Sequence, residues 1–403
     1  MITAPEPSSG YDAARTHHQM PMNDMKLPLR LSELATVVMV PRERLSSTPR
    51  AVTSVVRSLP DSVAVIVVDG AFPDDVRSQL NAISHRRPLK LLRFEHYVLP
   101  AEARNRALAL VETPYVAFVD NDIDVRFGWL EALVDAVRAE NAVIGAPVTA
   151  LREDRGQGIK EYIHHAGGEI RLMHYKGRVT YASHRRLEWL PVDNPALAGL
   201  PSISDDFEFH AFLIETATLR QLGGFDERLV ICDHDDVALR VHVRGDRIAF
   251  SPNAHVCYDQ TGSLDAADRQ YFAFRWSRRL VDRSCQTFEQ NWKISQSRSW
   301  EWARGHRKRM LSPGAPAAIR LLPEPLFELY AAFLRAGSER RDPLRRRAMA
   351  APLVCPDIPQ PVAELIREKL VGRQPGSEFP ALPPALQDMA ASALRATGGS
   401  ADR

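Results

Sequence analysis

Between residues 35 and 148, short apolar runs alternate with longer stretches of helical periodicity, and this alternation restricts the possible folds more than any other pattern in the chain. The runs at 35–40, 63–68, 89–94, 115–119 and 142–148 are apolar and too short for helices, so they read as buried strands. Between them, 46–59 sets Val52, Val55, Val56 and Leu59 on one helical face, and 74–83, 101–111 and 129–139 are helical as well. Strands that alternate with helices in this way predict an α/β fold, a mostly parallel sheet with helices on both faces.

The edge of that sheet is where chemistry is expected. The central strand at 115–119 runs directly into Asp120-Asn121-Asp122. A buried parallel strand that ends in two carboxylates delivers them to the carboxyl edge, where open α/β sheets bind ligands. Hard oxygen donors suit Mg2+ or Mn2+, which also take substrate phosphate oxygens. The same three residues would also serve as an Asx turn capping the next helix. Asp69 follows the second strand, placed either to accept from a base or ribose or to turn the chain before Gly70. Arg104 and Asn105 lie on the helix before the central strand, where an Arg pairs with phosphate or stays solvated. The first strand runs into Pro41-Arg42-Glu43-Arg44 rather than Gly-x-Gly-x-x-Gly, which argues against a dinucleotide-binding dehydrogenase; a Gly-x-x-x-x-Gly-Lys-Ser/Thr phosphate loop is missing too.

A second acidic cluster, Asp233-His234-Asp235-Asp236, opens an amphipathic helix at 233–244. Asp233 reads as its N-cap and Asp236 as the i,i+4 partner of Arg240. Asp235 has no such structural task and is the first candidate for a general base, with Asp236 the second. His255, on the strand that follows, is either a metal ligand or a structural polar residue. The histidines between 164 and 242 show no metal-binding spacing along the chain.

Residues 150–206 break into turn signals and charges that suggest hairpins and loops, and 207–216 returns to strand. From 266 the chain is mainly helical, with Phe272, Trp276, Phe288 and Trp292 expected as buried anchors on the core. A formal net charge of +2 provides no global field for nucleic acid or membrane, so no nucleic-acid partner is expected. Local basic runs at 304–309 and 340–347 read as solvated helix faces, with peripheral membrane contact as the alternative. Cys232, Cys257, Cys285 and Cys355 lack metal spacing and suit a reducing, cytoplasmic compartment. No apolar run is long enough to span a bilayer. The organisation expected is a mobile leader (1–30), a core (31–262, in two halves at 31–150 and 151–262) and a helical C-terminal region (263–403).

The ordered set of a Pro-terminated first strand, Asp69, Ala103-Arg104-Asn105, Asp120-Asn121-Asp122, Gly223-Gly224-Phe225-Asp226-Glu227 and an acidic helix start with Leu239-Arg240 resembles the family 2 glycosyltransferases of the GT-A fold, over about residues 31 to 260. The resemblance implies a GT-A-type sheet whose Asp-x-Asp motif binds a divalent ion and a nucleotide-sugar diphosphate, and an acidic helix that supplies the base. It makes Pro41, Arg42, Asp69, Arg104, Asp120 and Asn121 the expected donor-binding residues. Asp120, Asp122 and His255 become the expected metal ligands, although the simplest register puts Tyr258 where such enzymes often have a His. The function expected is inverting, metal-dependent transfer of a sugar, UDP-linked by family-level expectation, to an acceptor hydroxyl on a glycan, a lipid-linked molecule or a small molecule. A nucleotidyltransferase on a similar sheet and a non-catalytic GT-A-like binding protein are the alternatives.

Overall fold

The computed structural model describes residues 30–154, 158–175, 178–311 and 322–339. The expected leader, the basic run at 340–347 and Cys355 lie outside the described residues. After a single helical turn, α1 (Leu31–Leu34), the first half alternates as its apolar runs require. Its elements are β1 (Ala35–Val40), α2 (Thr48–Ser58), β2 (Val65–Gly70), α3 (Asp74–Arg86), β3 (Lys90–Phe94), α4 (Pro100–Leu108), β4 (Tyr115–Asp120), β5 (Ile123–Val125) and α5 (Trp129–Ala139). The second half contains β6 (Ile144–Asp154), β7 (Ile159–His165), β8 (Gly168–Tyr175), β9 (Arg178–Arg185), β10 (Ile203–Ser204), β11 (Ala211–Glu215), α6 (Thr216–Gln221), α7 (Asp233–Arg244) and β12 (Ile248–Asp259). The C-terminal helices are α8 (Ala266–Arg275), α9 (Arg278–Trp292), α10 (Ser297–Leu311) and α11 (Glu324–Glu339).

The main sheet has the order β10-β12-β6-β11-β4-β1-β2-β3, with β5 joined to β12 and β7 to β6. Within the row from β12 to β3, only β11 runs against the others. This is the expected mostly parallel sheet flanked by helices, with helices following it. Alternation along each strand explains the two layers. Val37, Met39, Val65, Val67, Ala117 and Val119 face Val52, Val55, Leu130 and Leu133 of α2 and α5. Val38, Val40, Ile66, Val68, Val116 and Phe118 face Ala103, Ala107, Val237 and Val241 of α4 and α7. A strand covered on both faces has no polar side, which is why these sequences read as continuous apolar runs.

The structure redraws two sequence boundaries. β6 continues past Val148 because β7 and β12 pair with its extension. The strand that carries His255, β12, is a single one, irregular between Ser251 and His255. The strand expected from 207 begins only at Ala211, since Phe207 and Phe209 pack on Phe212 and Phe225 while the His210 carbonyl accepts from Asp120 N at 2.9 Å. Residues 207–210 therefore cross the sheet edge as a loop.

Phe272, Trp276, Phe288 and Trp292 are buried, in one cluster with Leu99, Leu229 and Leu239. Helix α8 is fastened to the loop after β1: Ser46 N and Oγ donate to Asp268 at 3.0 and 2.6 Å, and the Tyr271 hydroxyl donates to the Val98 carbonyl at 2.8 Å. The C-terminal helices thus reach the first half of the sheet as well as the acidic helix.

Candidate active site

Asp120 ends β4 and Asp122 follows it, both fully buried at the carboxyl edge. Asp120 accepts from Arg42 Nη1 at 2.7 Å and from Arg104 Nη2 at 2.9 Å, and His210 Nδ1 lies 3.6 Å away. Burial opposes its charge, but Arg42, His210 and Arg104 outweigh burial and hold its carboxyl below the usual range. Asn121 is committed to the loop after β1. Its Oδ1 accepts from Arg42 N at 2.8 Å, and its Nδ2 donates to the Arg44 carbonyl at 3.0 Å and to Thr48 Oγ1 at 2.9 Å.

Asp122 differs from both neighbours. Neither carboxylate oxygen has a hydrogen-bond partner, and both are buried. Burial, then the charges of Asp120 and Glu43, push its pKa up to about 8, against weaker relief from Arg42 and Arg44. A buried carboxylate with no donor is costly unless it is protonated or meets a cation. The donor set therefore fits a divalent ion: Asp122 is the available hard oxygen ligand at a strand end, whereas Asp120 already holds two guanidinium groups.

Glu43 completes this side and was not anticipated from sequence. It accepts from Trp276 Nε1 at 2.8 Å and from the Tyr258 hydroxyl at 3.3 Å, and it pairs with Arg275. Burial opposes its charge, yet Arg275, His306 and Arg42 bring its pKa down to about 2. Tyr258 stands opposite Ile123 in the β5–β12 ladder, next to Asp122 along the chain, and stacks on His210 with centroids 4.4 Å apart. The structure does not bring His255 to this loop. The residue sits at the irregular point of β12, and its carbonyl accepts from Arg126 N at 3.1 Å. At about 3.3 Å per residue, three positions along a strand carry it away from Asp122, so Tyr258 takes the place where His255 was expected to act.

Asp69 and Pro41 flank the same edge. Asp69 accepts from Phe72 N at 2.7 Å and from Arg77 Nε at 2.8 Å, so its carboxylate organises the turn into α3. The Pro41 carbonyl accepts from the Tyr271 hydroxyl at 3.3 Å.

Arg104 joins the two acidic clusters. It is fully buried on α4, with Nη2 on Asp120, Nη1 3.5 Å from Asp233, and its guanidinium 4.4 Å from the Phe209 ring centroid. The next residue, Asn105, clamps the glycine turn. It accepts from Phe225 N at 2.9 Å and donates to the Phe225 carbonyl and Glu227 at 2.9 Å each. Gly224 is required here, because its φ is +77° and a Cβ would lie 2.6 Å from Asn105 Oδ1.

Helix α7 begins at Asp233, but its N-cap is Cys232, in the left-handed region, so the expected capping by Asp233 is not observed. Asp233 instead faces Arg104 and His234, which hold its carboxyl far below the usual range despite burial. Asp236 pairs with Arg240 at 2.8 Å, as its spacing indicates, and also accepts from Trp292 Nε1 at 2.9 Å. Asp235 lies 3.3 Å from His234 Nε2, in a region shared with Tyr181 and Glu208. Burial raises the Asp235 pKa above the usual range even though His234 opposes it. The His234 pKa rises to about 9, since Asp235, Glu208 and Asp233 overcome burial.

The insert supplies the facing wall. His164, Glu208 and His210 place one ligand atom each within 4.8 Å of one another, although they are far apart in sequence. Arg185, at the end of β9, pairs with Glu208 and reaches 3.2 Å from His164 Nε2, so a cation already sits in this group. Sequence spacing could not find this cluster, because a hairpin and a sheet-edge loop bring it together.

Residues 36–188 match the family model described as Glycosyl transferase family 2. Among relatives, it is 27% identical over 230 residues to a pre-mycofactocin glycosyltransferase of Mycobacterium tuberculosis, covering 57% of this chain and 43% of that protein. It is 27% identical over 130 residues to a probable polypeptide N-acetylgalactosaminyltransferase 8 of Homo sapiens, covering 30% of this chain and 20% of that protein. The chain thus spans less than half the length of these relatives. Among solved structures, GalNAc-T7 with UDP, GalNAc and Mn2+ aligns with a TM-score of 0.44 and 16% identity, over 68% of this chain and 54% of that one. Among the described residues, no helix is long and apolar enough to cross a membrane.

Proposed function

We propose that this protein transfers a sugar from a nucleotide diphosphate sugar, with UDP as the first nucleotide to test, to an acceptor hydroxyl, inverting the anomeric centre in a single displacement. The observation that carries this reading is the bridge made by Arg104. It ties Asp120, inside the stretch that matches a glycosyltransferase family model, to the acidic start of α7, which lies beyond that stretch. Asp122, with two unpartnered oxygens, would hold a divalent ion such as Mn2+ or Mg2+. That ion, when bound, offsets charge growing on the leaving diphosphate. Arg42 and Arg104 hold Asp120 ionised and add positive charge beside the same loop. Asn121 and Asp69 act by shaping the loop after β1 and the turn after β2.

Asp235 is the proposed base. Its raised pKa brings it toward neutrality, where a base is most effective, and Asp236 is held by Arg240 and Trp292. Hairpins β7 to β9 and the loop 207–210 form the proposed acceptor side. The free, buried Cys232, Cys257 and Cys285 support a reducing, cytoplasmic setting.

The test is a panel of nucleotide sugars with Mn2+, read by release of nucleoside diphosphate. Asp235→Asn is expected to retain donor binding and to lose about two to four orders of magnitude in turnover. Release of pyrophosphate in a parallel assay with a nucleoside triphosphate and a sugar 1-phosphate would identify a nucleotidyltransferase instead, and normal turnover in both Asp235→Asn and Asp236→Asn would remove the acidic helix from the mechanism.

A further inference from the structure

On the far side of the segment that precedes the acidic helix, a cavity of about 640 Å³ opens at the start of α9, lined by Ser277, Arg278, Arg279, Asp282, Arg283 and Gln286 of that helix region and by Glu328 of α11. We propose that this cavity binds a phosphate-bearing small molecule.

The first argument is electrostatic. The start of a helix carries roughly half a positive charge and favours acidic residues. The first turn of α9 has none and carries Arg278 and Arg279 instead. Asp282 matches Arg278, so Arg279 is the cation left to add to the positive helix end, a placement that an anion would favour.

The second argument is hydrogen bonding. Ser277 is the N-cap, yet its hydroxyl makes no capping bond. The residue is 6% exposed, and its Oγ is buried without a partner while lining the cavity. Arg283, one turn after Arg279, has Nε and Nη2 buried and unpartnered. The other charges on the wall are matched: Arg278 with Asp282 at 3.3 Å, and Glu328 with Arg307. Burial, then Arg279, lowers the Arg283 pKa, while Asp226 opposes this and Arg228 adds to it.

These groups share one complement. A phosphate offers several acceptor oxygens to the Ser277 hydroxyl, to Arg279 and Arg283, and to the Arg278 and Arg279 N–H groups that open the helix ahead of the first turn bond from Leu280 N to the Ser277 carbonyl. Asp282 and Glu328 confine the favourable region, so the charge of the ligand is compact. The volume falls in the range of small-molecule sites, about 300–1,000 Å³. It exceeds what a phosphate ion fills, so the phosphate is attached to an organic group that reaches Gln286.

The test uses the full chain, titrated with inorganic phosphate and glycerol 3-phosphate by calorimetry. The titrations are run with Mg2+ present, so that Asp122→Asn serves as a control for phosphate entering the donor site through an ion held there. The expected result is saturable binding, tighter for the ester, that survives Asp122→Asn and weakens by about tenfold or more in Arg279→Glu and in Ser277→Ala. Arg279 is exposed, so its replacement leaves the fold intact. Sedimentation with phosphatidylglycerol vesicles, lost in Arg279→Glu, would identify a lipid headgroup as the source of the phosphate; binding of soluble esters alone would identify a free metabolite. No binding, or binding lost in Asp122→Asn and unchanged in Arg279→Glu, overturns the proposal.

Discussion

Replacing Arg104 with Met removes the guanidinium that joins Asp120 to Asp233 while keeping an unbranched side chain of similar reach. Removing one partner of a buried ion pair costs about 3–5 kcal/mol, because the other charge stays buried. Two features of the site adjust that figure. Asp120 keeps Arg42 at 2.7 Å, which lowers the cost on its side. Asp233 keeps His234, at 3.8 Å, and the charge of Arg42, and the contact of Arg104 with the Phe209 ring is lost as well. A loss of about 3 kcal/mol is therefore expected, the lower part of that range. At about 2–4 °C per kcal/mol for a large domain, the melting temperature should fall by about 6–12 °C.

The pH dependence gives the sign. Asp120 and Asp233 both have depressed pKa values in the folded state. Their contribution is present above the unfolded carboxylate pKa of about 3.9 and is lost as pH falls below it. The gap between wild type and Arg104→Met should be full at pH 7 and narrow steadily below about pH 4. Urea and thermal unfolding at several pH values measure this directly. A melting temperature within two degrees of wild type at pH 7, or a gap that widens in acid, would refute the bridging argument.

Asp122→Asn should raise the stability of the metal-free protein above pH 7, since a raised folded pKa makes the carboxylate increasingly unfavourable as pH climbs toward about 8; it should also abolish any Mn2+-dependent thermal shift. Equal Mn2+ shifts in wild type and variant would take Asp122 out of the metal site. Gly224→Ala should lose about 2–4 kcal/mol, combining the left-handed backbone cost with a broken Asn105 contact; urea unfolding indistinguishable from wild type would show that the turn relaxes freely. Asp236→Ala should destabilise by about 3 kcal/mol or more by stranding the Arg240 and Trp292 donors, whereas Asp235→Asn, which keeps the side chain's shape and weakens only the hold on His234, should cost less, and differential scanning calorimetry separates the two.

The carboxylates at the strand ends and the acidic start of α7 were legible because each is local: an apolar run sets a strand, and the residues after it reach the sheet edge. The pairing of Asp236 with Arg240 was legible for the same reason, since four residues along a helix make neighbours. Other assignments depended on contacts that no spacing encodes. The N-cap position expected of Asp233 is held by Cys232, whose side chain makes no capping bond, and the Asp233 carboxylate faces Arg104 of α4 instead. The position expected for His255 belongs to Tyr258, fixed by the β5–β12 register. Glu43, Glu208, His210 and Arg185 carry no sequence signature, because a loop, a hairpin and a C-terminal helix must fold over the same edge before they meet. The sequence by itself determined which residues end the strands and start the helix. The tertiary structure alone decided which of their charges are matched and which, like Asp122, are left for a ligand, because charge pairing in a buried site depends on side chains brought together from distant parts of the chain.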